Sequence, residues 1–298
     1  MLACTLLRAA ASTGLAAGSF KVLHEGECVL RYEAASQVAI LSMERHARKN
    51  AIGVSFLNSI RRAIDICRAG APSAGRPTTA DADCPSVRCL IVSSAVPKVF
   101  CAGADLKERK EMSVEESRAF VQRLRQTFND LEDLPIPTIA AIEGKALGGG
   151  MELALALDMR VAGDEAAMGF PETGLAILPG AGGTVRAPVV LGVSRALEMI
   201  LTAEQVSAQR ALELGLVNRV VPASSALEAS LDLALRISRN GPLGVCAAKK
   251  AVRFSVGKTR AEAMQMEAEQ YEVVLATEDR LEGLKAFAEH RLPVYKGK

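Results

Sequence analysis

Two glutamates and three glycine-bearing junctions carry the chemistry legible in this chain. Glu152 follows Gly148, Gly149 and Gly150 in "ALGGGMELALALD", residues 146–158, a run otherwise apolar enough to be fully buried. An unpaired buried charge is costly, so such a carboxylate is partnered, protonated or in use. Glu172 is a second acid in a Gly/Pro-rich apolar setting, "FPETGLAILPGAGGT" at 170–184, and the remaining junction is "FCAGADLKE" at 100–108. In "FCAGADLKE" and in "KALGGGMEL" at 145–153, small residues let the chain turn sharply and bring backbone N–H groups close to a ligand. Two such donors converging on one oxygen form an oxyanion hole, which stabilises charge that develops only in the transition state. Desolvation raises either carboxyl toward a useful acid–base range. Two carboxylates and two N–H donors suit the addition of water across a double bond conjugated to a carbonyl. Taken singly, each feature has a plainer reading: a glycine triplet as a tight turn, a buried glutamate as a salt-bridge partner.

Other chemistries find little support. The three histidines, His24, His46 and His290, lack metal-ligand spacing, so no metal site is expected and catalysis falls to carboxylates and backbone groups. Seven cysteines, at 4, 28, 67, 84, 89, 101 and 246, are odd in number and form no C-x-x-C pair, which argues against a disulfide framework and fits a reducing compartment. A net charge of +2 from 36 basic and 34 acidic residues gives no prior for nucleic acid or an anionic membrane. No apolar run reaches membrane-spanning length without charges.

The elements that must position the two acids follow from periodicity. Short apolar runs at 37–43, 88–94 and 137–143 alternate with helical patterns at 54–67 and 114–133, which predicts an α/β core with mostly parallel strands. Residues 69–86, dense in Pro, Gly, Ala, Ser and Thr, read as an exposed flexible insertion. After about residue 193 the pattern is helical, broken by the strand-like "GLVNRVV" at 215–221 and by "NGP" at 240–242, with long helices at 259–276 and 279–289. Residues 1–24 contain no Asp or Glu, are rich in Ala, Leu, Ser and Thr and carry Arg8 and Lys21, and so read as a mitochondrial transit peptide. That gives an expected division into a leader at 1–24, a core at 25–222 and a helical region at 223–298.

The order "KNAI" at 49–52, "FCAGADLKE", "ALGGGMELALALD", "PETGLAILPGAGGT", "ALELGLVNRVV" at 211–221 and "EDRLEGLKAF" at 278–287 resembles the crotonase, or enoyl-CoA hydratase/isomerase, superfamily from about residue 35 onward. Within it, the chain resembles the mitochondrial branch that contains methylglutaconyl-CoA hydratase. The resemblance implies a spiral of ββα turns with two roughly perpendicular sheets and a helical C-terminal region that trimerises, two trimers stacking into a hexamer. It implies an acyl-CoA thioester substrate, coenzyme A being part of that substrate and no separate cofactor being needed, and a place in the mitochondrial matrix.

Carried over residue by residue, the resemblance makes the N–H groups of Ala104 and Gly149 the oxyanion hole, Glu152 the activator of water and Glu172 the proton donor to the α-carbon, with the N–H of Gly180 helping to place the water. Lys107, with Arg48 or Lys49, is expected near the phosphates or adenine of coenzyme A, and Phe287 at a neighbouring subunit's nucleotide pocket. Asp105 is a binding candidate whose plainer role is to cap the following helix. Ala47 and His290 replace basic residues common in the family, so other side chains are expected to grip coenzyme A. The acyl pocket is expected along 112–126 and 173–177, with Arg109 or Arg118 as candidates for a distal carboxylate. One member of the branch binds RNA through a lysine comb on its first helix; here those positions read Val54, Asn58 and Arg62, which argues against that role.

Overall fold

The computed structural model describes residues 20–73 and 85–298. Cys4, Cys84, most of the expected leader and residues 74–84 of the expected insertion lie outside the described residues. The chain opens with an antiparallel meander of β1 (Phe20–His24), β2 (Cys28–Glu33) and β3 (Val38–Met43), followed by α1 (Val54–Ala69). Phe20–His24 pairs with β2, so the boundary expected at residue 24 moves back: these five residues belong to the folded sheet. At the insertion, the Val87 N–H donates to the Gly70 carbonyl at 2.8 Å, so the described residues on either side of it meet.

Three turns of one pattern come next. β4 (Cys89–Ser94) and β5 (Val99–Cys101) lead to α2 (Leu106–Lys110) and α3 (Val114–Glu132). β6 (Thr138–Ile142) and β7 (Lys145–Leu147) lead to α4 (Gly149–Leu155). β8 (Met159–Gly163) and β9 (Ala167–Gly169) lead through a 3-10 turn at Pro171–Leu175 to α5 (Gly183–Leu191) and α6 (Val193–Thr202). The first strand of each pair enters a seven-stranded sheet of order β1-β2-β3-β4-β6-β8, closed by a later strand at Arg219–Val221; the second enters a four-stranded sheet running from β5 through β7 and β9 to a later strand at Gln205–Ser207. This is the ββα spiral, with parallel neighbours at each turn because the chain returns to the same end before starting the next.

β10 (Gln205–Ser207), α7 (Ala208–Glu213) and β11 (Arg219–Val221) complete the sheets, and α8 (Ala226–Ser238), α9 (Pro242–Ser255), α10 (Arg260–Leu275) and α11 (Glu278–Ala288) follow. Two details correct the expectation for this region. β10 interrupts the helical stretch after residue 193, and the strand expected at 215–221 is confined to Arg219–Val221, because the N–H groups of Leu216 and Val217 both turn back onto the Ala211 carbonyl at the end of α7.

The long strands are buried on both faces, with alternate residues in different cores. Ala39, Leu41 and Met43 of β3 join Phe56, Ile60, Phe100 and Met151 in the main core. Val38 and Ile40 point to the opposite face, where Ile91, Ile139 and Val161 pack against Leu227, Leu231 and Ala234 of α8. The division expected at residue 222 is therefore misplaced, since α8 is one wall of the core. By contrast α10 buries no residue, although Thr259 and Glu262 close a reciprocal capping box at its start. No helix among the described residues is long and apolar enough to cross a membrane.

If α8 is core, Leu231→Ala should lower the unfolding free energy by ~3 kcal/mol, the transfer and cavity cost of a buried leucine. Urea unfolding followed by circular dichroism checks this; a loss below ~1 kcal/mol would mark α8 as a loosely attached appendage.

Candidate active site

The three junctions read from the sequence meet at one place because β5, β7 and β9 are parallel neighbours, so the segments leaving their C-terminal ends lie side by side. After β5, the Ile52 N–H donates to the Gly103 carbonyl at 2.7 Å and the Asp105 N–H donates to the Ile52 carbonyl at 3.1 Å. That parallel bridge uses the groups flanking Ala104 and turns the N–H of Ala104 to the other side. After β7, Gly149 is the first residue of α4, where an N–H has no acceptor within its own helix. Among the described residues neither N–H is spent on another group. The two are adjacent: a Cβ on Gly149 would stand 3.7 Å from the Ala104 nitrogen.

Gly148 makes this approach possible. Its φ of 53° with ψ of −124° is a conformation that a side chain opposes, and a Cβ there would come within 2.9 Å of Glu172 Oε1. Asn50 ties the segment before the bridge to β4 and β5, donating from Nδ2 to Ser94 Oγ and to the Phe100 carbonyl while Oδ1 accepts the Arg45 N–H. Asp105 is committed to structure. Oδ1 accepts the Glu108 N–H as the cap of α2, and Oδ2 lies 3.0 Å from the Arg45 guanidinium.

Glu152, 2% exposed in the first turn of α4, accepts two backbone N–H bonds on Oε1, from Ala181 at 2.8 Å and Gly183 at 2.7 Å. Burial pushes its carboxyl up, while those two donors and the charges of Arg186 and Arg125 pull it back. Glu172 sits in the 3-10 turn with Oε2 buried and without a hydrogen-bond partner among the described residues. Burial above all, with the nearby Glu152 charge adding to it, pushes Glu172 up to about 7. Similar depth and unequal donors thus give two carboxyls of different proton affinity in one site.

Both acids line a cavity of 200 Å³ together with Ala104 and Gly149. Val121 and Leu124 from α3 and Leu175 and Ile177 from the 173–177 run supply apolar wall, where the acyl pocket was expected. Arg109 also lines it, half-buried with its guanidinium 5.4 Å from the Phe120 ring centre, whereas Arg118 is exposed and outside the lining. Gly180 lines the cavity too, but its carbonyl is held by Arg125, and the N–H groups turned onto Glu152 belong to Ala181 and Gly183. Arg48, Lys49 and Lys107 are exposed and do not line the cavity, and Phe287 stands 83% exposed on α11. Sequence reasoning missed Asn50, Arg45, Ala181, Gly183, Arg125 and Arg186. Of these, Asn50 stood in the "KNAI" run and Ala181 and Gly183 in "PETGLAILPGAGGT", whereas Arg45, Arg125 and Arg186 stood in no motif.

The raised Glu172 carboxyl ties stability to pH. A carboxyl that titrates at 4.5 when unfolded and near 7 when folded keeps its proton longer in the native state, so stability falls as pH rises across that window. Glu172→Gln removes the penalty. Its melting temperature relative to the wild type should climb from pH 5 to pH 8 and then level, and a constant difference across that range would show that Glu172 titrates normally.

The comparisons with known proteins agree with this geometry. The family model described as enoyl-CoA hydratase/isomerase matches residues 33–298. A relative from Arabidopsis thaliana named "Probable enoyl-CoA hydratase 2, mitochondrial" is 44% identical over 262 residues, covering 88% of this chain and 82% of its own length. Methylglutaconyl-CoA hydratase, mitochondrial, of Mus musculus is 40% identical over 264 residues, covering 87% of this chain and 80% of its own. The crystal structure of enoyl-CoA hydratase from Bacillus anthracis superimposes with a TM-score of 0.82 at 40% identity, covering 94% of this chain and 100% of that one. A family match over residues 33–298, substantial identity and a shared spiral fold place this chain in the enoyl-CoA hydratase/isomerase family.

Proposed function

We propose that the protein is a hydro-lyase that adds water syn across the double bond of a 2-trans-enoyl-CoA to give a 3-hydroxyacyl-CoA. The observation that carries this reading is that two unspent N–H donors and two carboxyls of unequal proton affinity line one cavity. The thioester oxygen takes the N–H groups of Ala104 and Gly149, which stabilise the enolate-like charge as it develops. Glu152, ionised, removes a proton from water as its oxygen attacks C3. Glu172, still protonated near neutral pH, delivers a proton to C2. Water is added without oxidation or reduction, so the reaction asks for no redox cofactor, and coenzyme A arrives as part of the substrate. An isomerase needs one base and the same hole; the second acid favours hydration.

Arg109 favours a second reading, in which the acyl group carries a distal carboxylate as in methylglutaconyl-CoA. It borders the apolar cavity and has no anionic partner among the described residues, and a desolvated guanidinium is a strong carboxylate receptor. The composition of the first residues and the mitochondrial names of the relatives support a place in the mitochondrial matrix. Association into trimers, or two stacked trimers, is supported by apolar side chains left exposed in the single chain, among them Val189, Val193, Leu197 and Leu201 on α5 and α6 and Leu284 and Phe287 on α11.

Loss of enoyl absorbance with crotonyl-CoA, a medium-chain 2-enoyl-CoA and 3-methylglutaconyl-CoA tests the reading, and failure to turn over any of them would overturn it. Glu152→Gln and Glu172→Gln should each lower kcat by roughly 10²–10⁴ with KM nearly unchanged. Arg109→Met should lower kcat/KM for the carboxylated substrate by about 10–100-fold and leave crotonyl-CoA nearly untouched. Equal losses on both would remove Arg109 from carboxylate recognition.

A further inference from the structure

Glu152 takes its hydrogen bonds from a short backbone segment, Gly180–Gly183, that belongs to no regular element until α5 begins. Such a segment holds its N–H groups on target only if its carbonyls are also fixed. Two arginines fix them. The amide joining Gly180 to Ala181 gives its N–H to Glu152 at 2.8 Å, while its carbonyl accepts from Arg125 Nε at 3.2 Å and Nη2 at 3.0 Å. The next carbonyl, that of Ala181, accepts from Arg186 Nη1 at 3.1 Å. The amide joining Gly182 to Gly183 gives its N–H to Glu152 at 2.7 Å, and its carbonyl accepts the backbone N–H of Arg186 at 2.8 Å. Gly182, with φ of 112°, leaves the space for this return, since a Cβ there would stand 2.0 Å from Arg186 Nη1.

Arg186 is itself immobilised. It is buried on α5, with Nε 2.7 Å and Nη2 2.6 Å from Glu132 Oε2, and Nη2 also donates to Asn129 Oδ1 at 2.8 Å. Glu132 further binds Arg253, and Arg253 and Lys249 converge on Asp158, so the charge network runs through α3 and α9 behind the site. We propose that Arg186, with Arg125 as its outer partner, is a positioning residue that sets the proton affinity of Glu152 by clamping the carbonyls of the segment whose N–H groups cradle that carboxylate. Neither arginine needs to touch substrate. The Arg125 guanidinium on the Gly180 carbonyl polarises the amide whose N–H Glu152 accepts, so a charge-assisted chain runs from that arginine through the peptide to the carboxylate, while Arg186 acts by its own charge and by holding the neighbouring Ala181 carbonyl and, through its backbone N–H, the Gly182 carbonyl. The other ionisable groups facing Glu152 are Glu172 and Arg109 across the cavity, and α4 carries no other charge. Burial raises the proton affinity of Glu152, and the clamped N–H groups with the two guanidinium charges oppose it.

The inference rests on Glu152 acting in the reaction proposed above, and its test does not depend on turnover. The Glu152 carboxyl is titrated in full-length protein carrying Glu172→Gln, by infrared absorption of the protonated carboxyl, with and without Arg186→Gln, Arg186→Lys or Arg125→Gln. Arg186→Gln should raise the midpoint by at least about one pH unit, Arg186→Lys by less, and exposed Arg125→Gln by about half a unit at low salt. With Glu172 restored, the acid limb of kcat/KM should move up by the same amounts; a clamp that served only to hold the loop would lower kcat at every pH and leave that limb in place. Should Arg186→Gln fail to fold, Arg125→Gln decides. Unmoved midpoints in the folded variants overturn the inference. A shifted midpoint in a protein that hydrates no enoyl-CoA would keep it and sink the hydratase reading.

Discussion

The structure turns on one constraint: a carboxylate buried at Glu152 must be solvated by protein. Only 2% of its surface is exposed, at the wall of the cavity, and an unpaired charge there would be costly. The chain meets the demand with the N–H groups of Ala181 and Gly183, which come from beyond the next strand pair and its 3-10 turn. Their segment must therefore be brought back across the start of α4 and held. This requirement accounts for Gly182, for the buried Arg186 and for the Glu132, Arg253 and Asp158 network that anchors it. The charges behind the site are scaffolding for two hydrogen bonds in front of it.

The spiral supplies the convergence that this arrangement needs. Each turn sends a long strand into the large sheet and a short one into the small sheet, so three successive short strands end at the same edge. Each end then delivers a different part: the Ala104 N–H after β5, the Gly149 N–H and Glu152 after β7, and Glu172 after β9. A repeat of covalent pattern becomes a cluster of unlike functions because only the loops differ. Ligand sites at the carboxyl ends of parallel strands follow the same logic in other α/β folds.

What could be read from the sequence tracks the length scale of each signal. Helices at 54–69, 114–132, 260–275 and 278–288 span several turns of 3.6-residue period, and the expected bounds fall within two residues of those found. The small sheet was invisible, because β5, β7, β9 and β10 have three residues each, too few to display alternation. β1 reads as part of the leader because its five residues, basic and without an acid, continue the leader's composition. Glu152 and Glu172 were legible as local anomalies, acids among glycines and apolar residues. Arg186 was not, since its meaning depends on Glu132, Asn129 and Ala181, and only one of those lies near it in the chain. The exposure of Phe287, Arg48, Lys49 and Lys107 on the single chain shows the limit of motif transfer: a matching letter fixes a backbone position and leaves open what the side chain meets.

The two carboxyls then divide their roles by environment. Facing one small cavity, they repel when both are ionised, so the pair keeps one proton over a range in which isolated carboxyls would have lost both. Which of them keeps it is decided by donors. Glu152 has two N–H groups and two guanidinium charges on its side, and Glu172 has only the pull of its own backbone N–H and an Oε2 with no partner among the described residues. Of the two, Glu172 is the one pushed furthest toward holding a proton, and the donors around Glu152 oppose the same push there. Interchanging the two residue types would change nothing, since both are glutamate; the asymmetry belongs to the backbone around them.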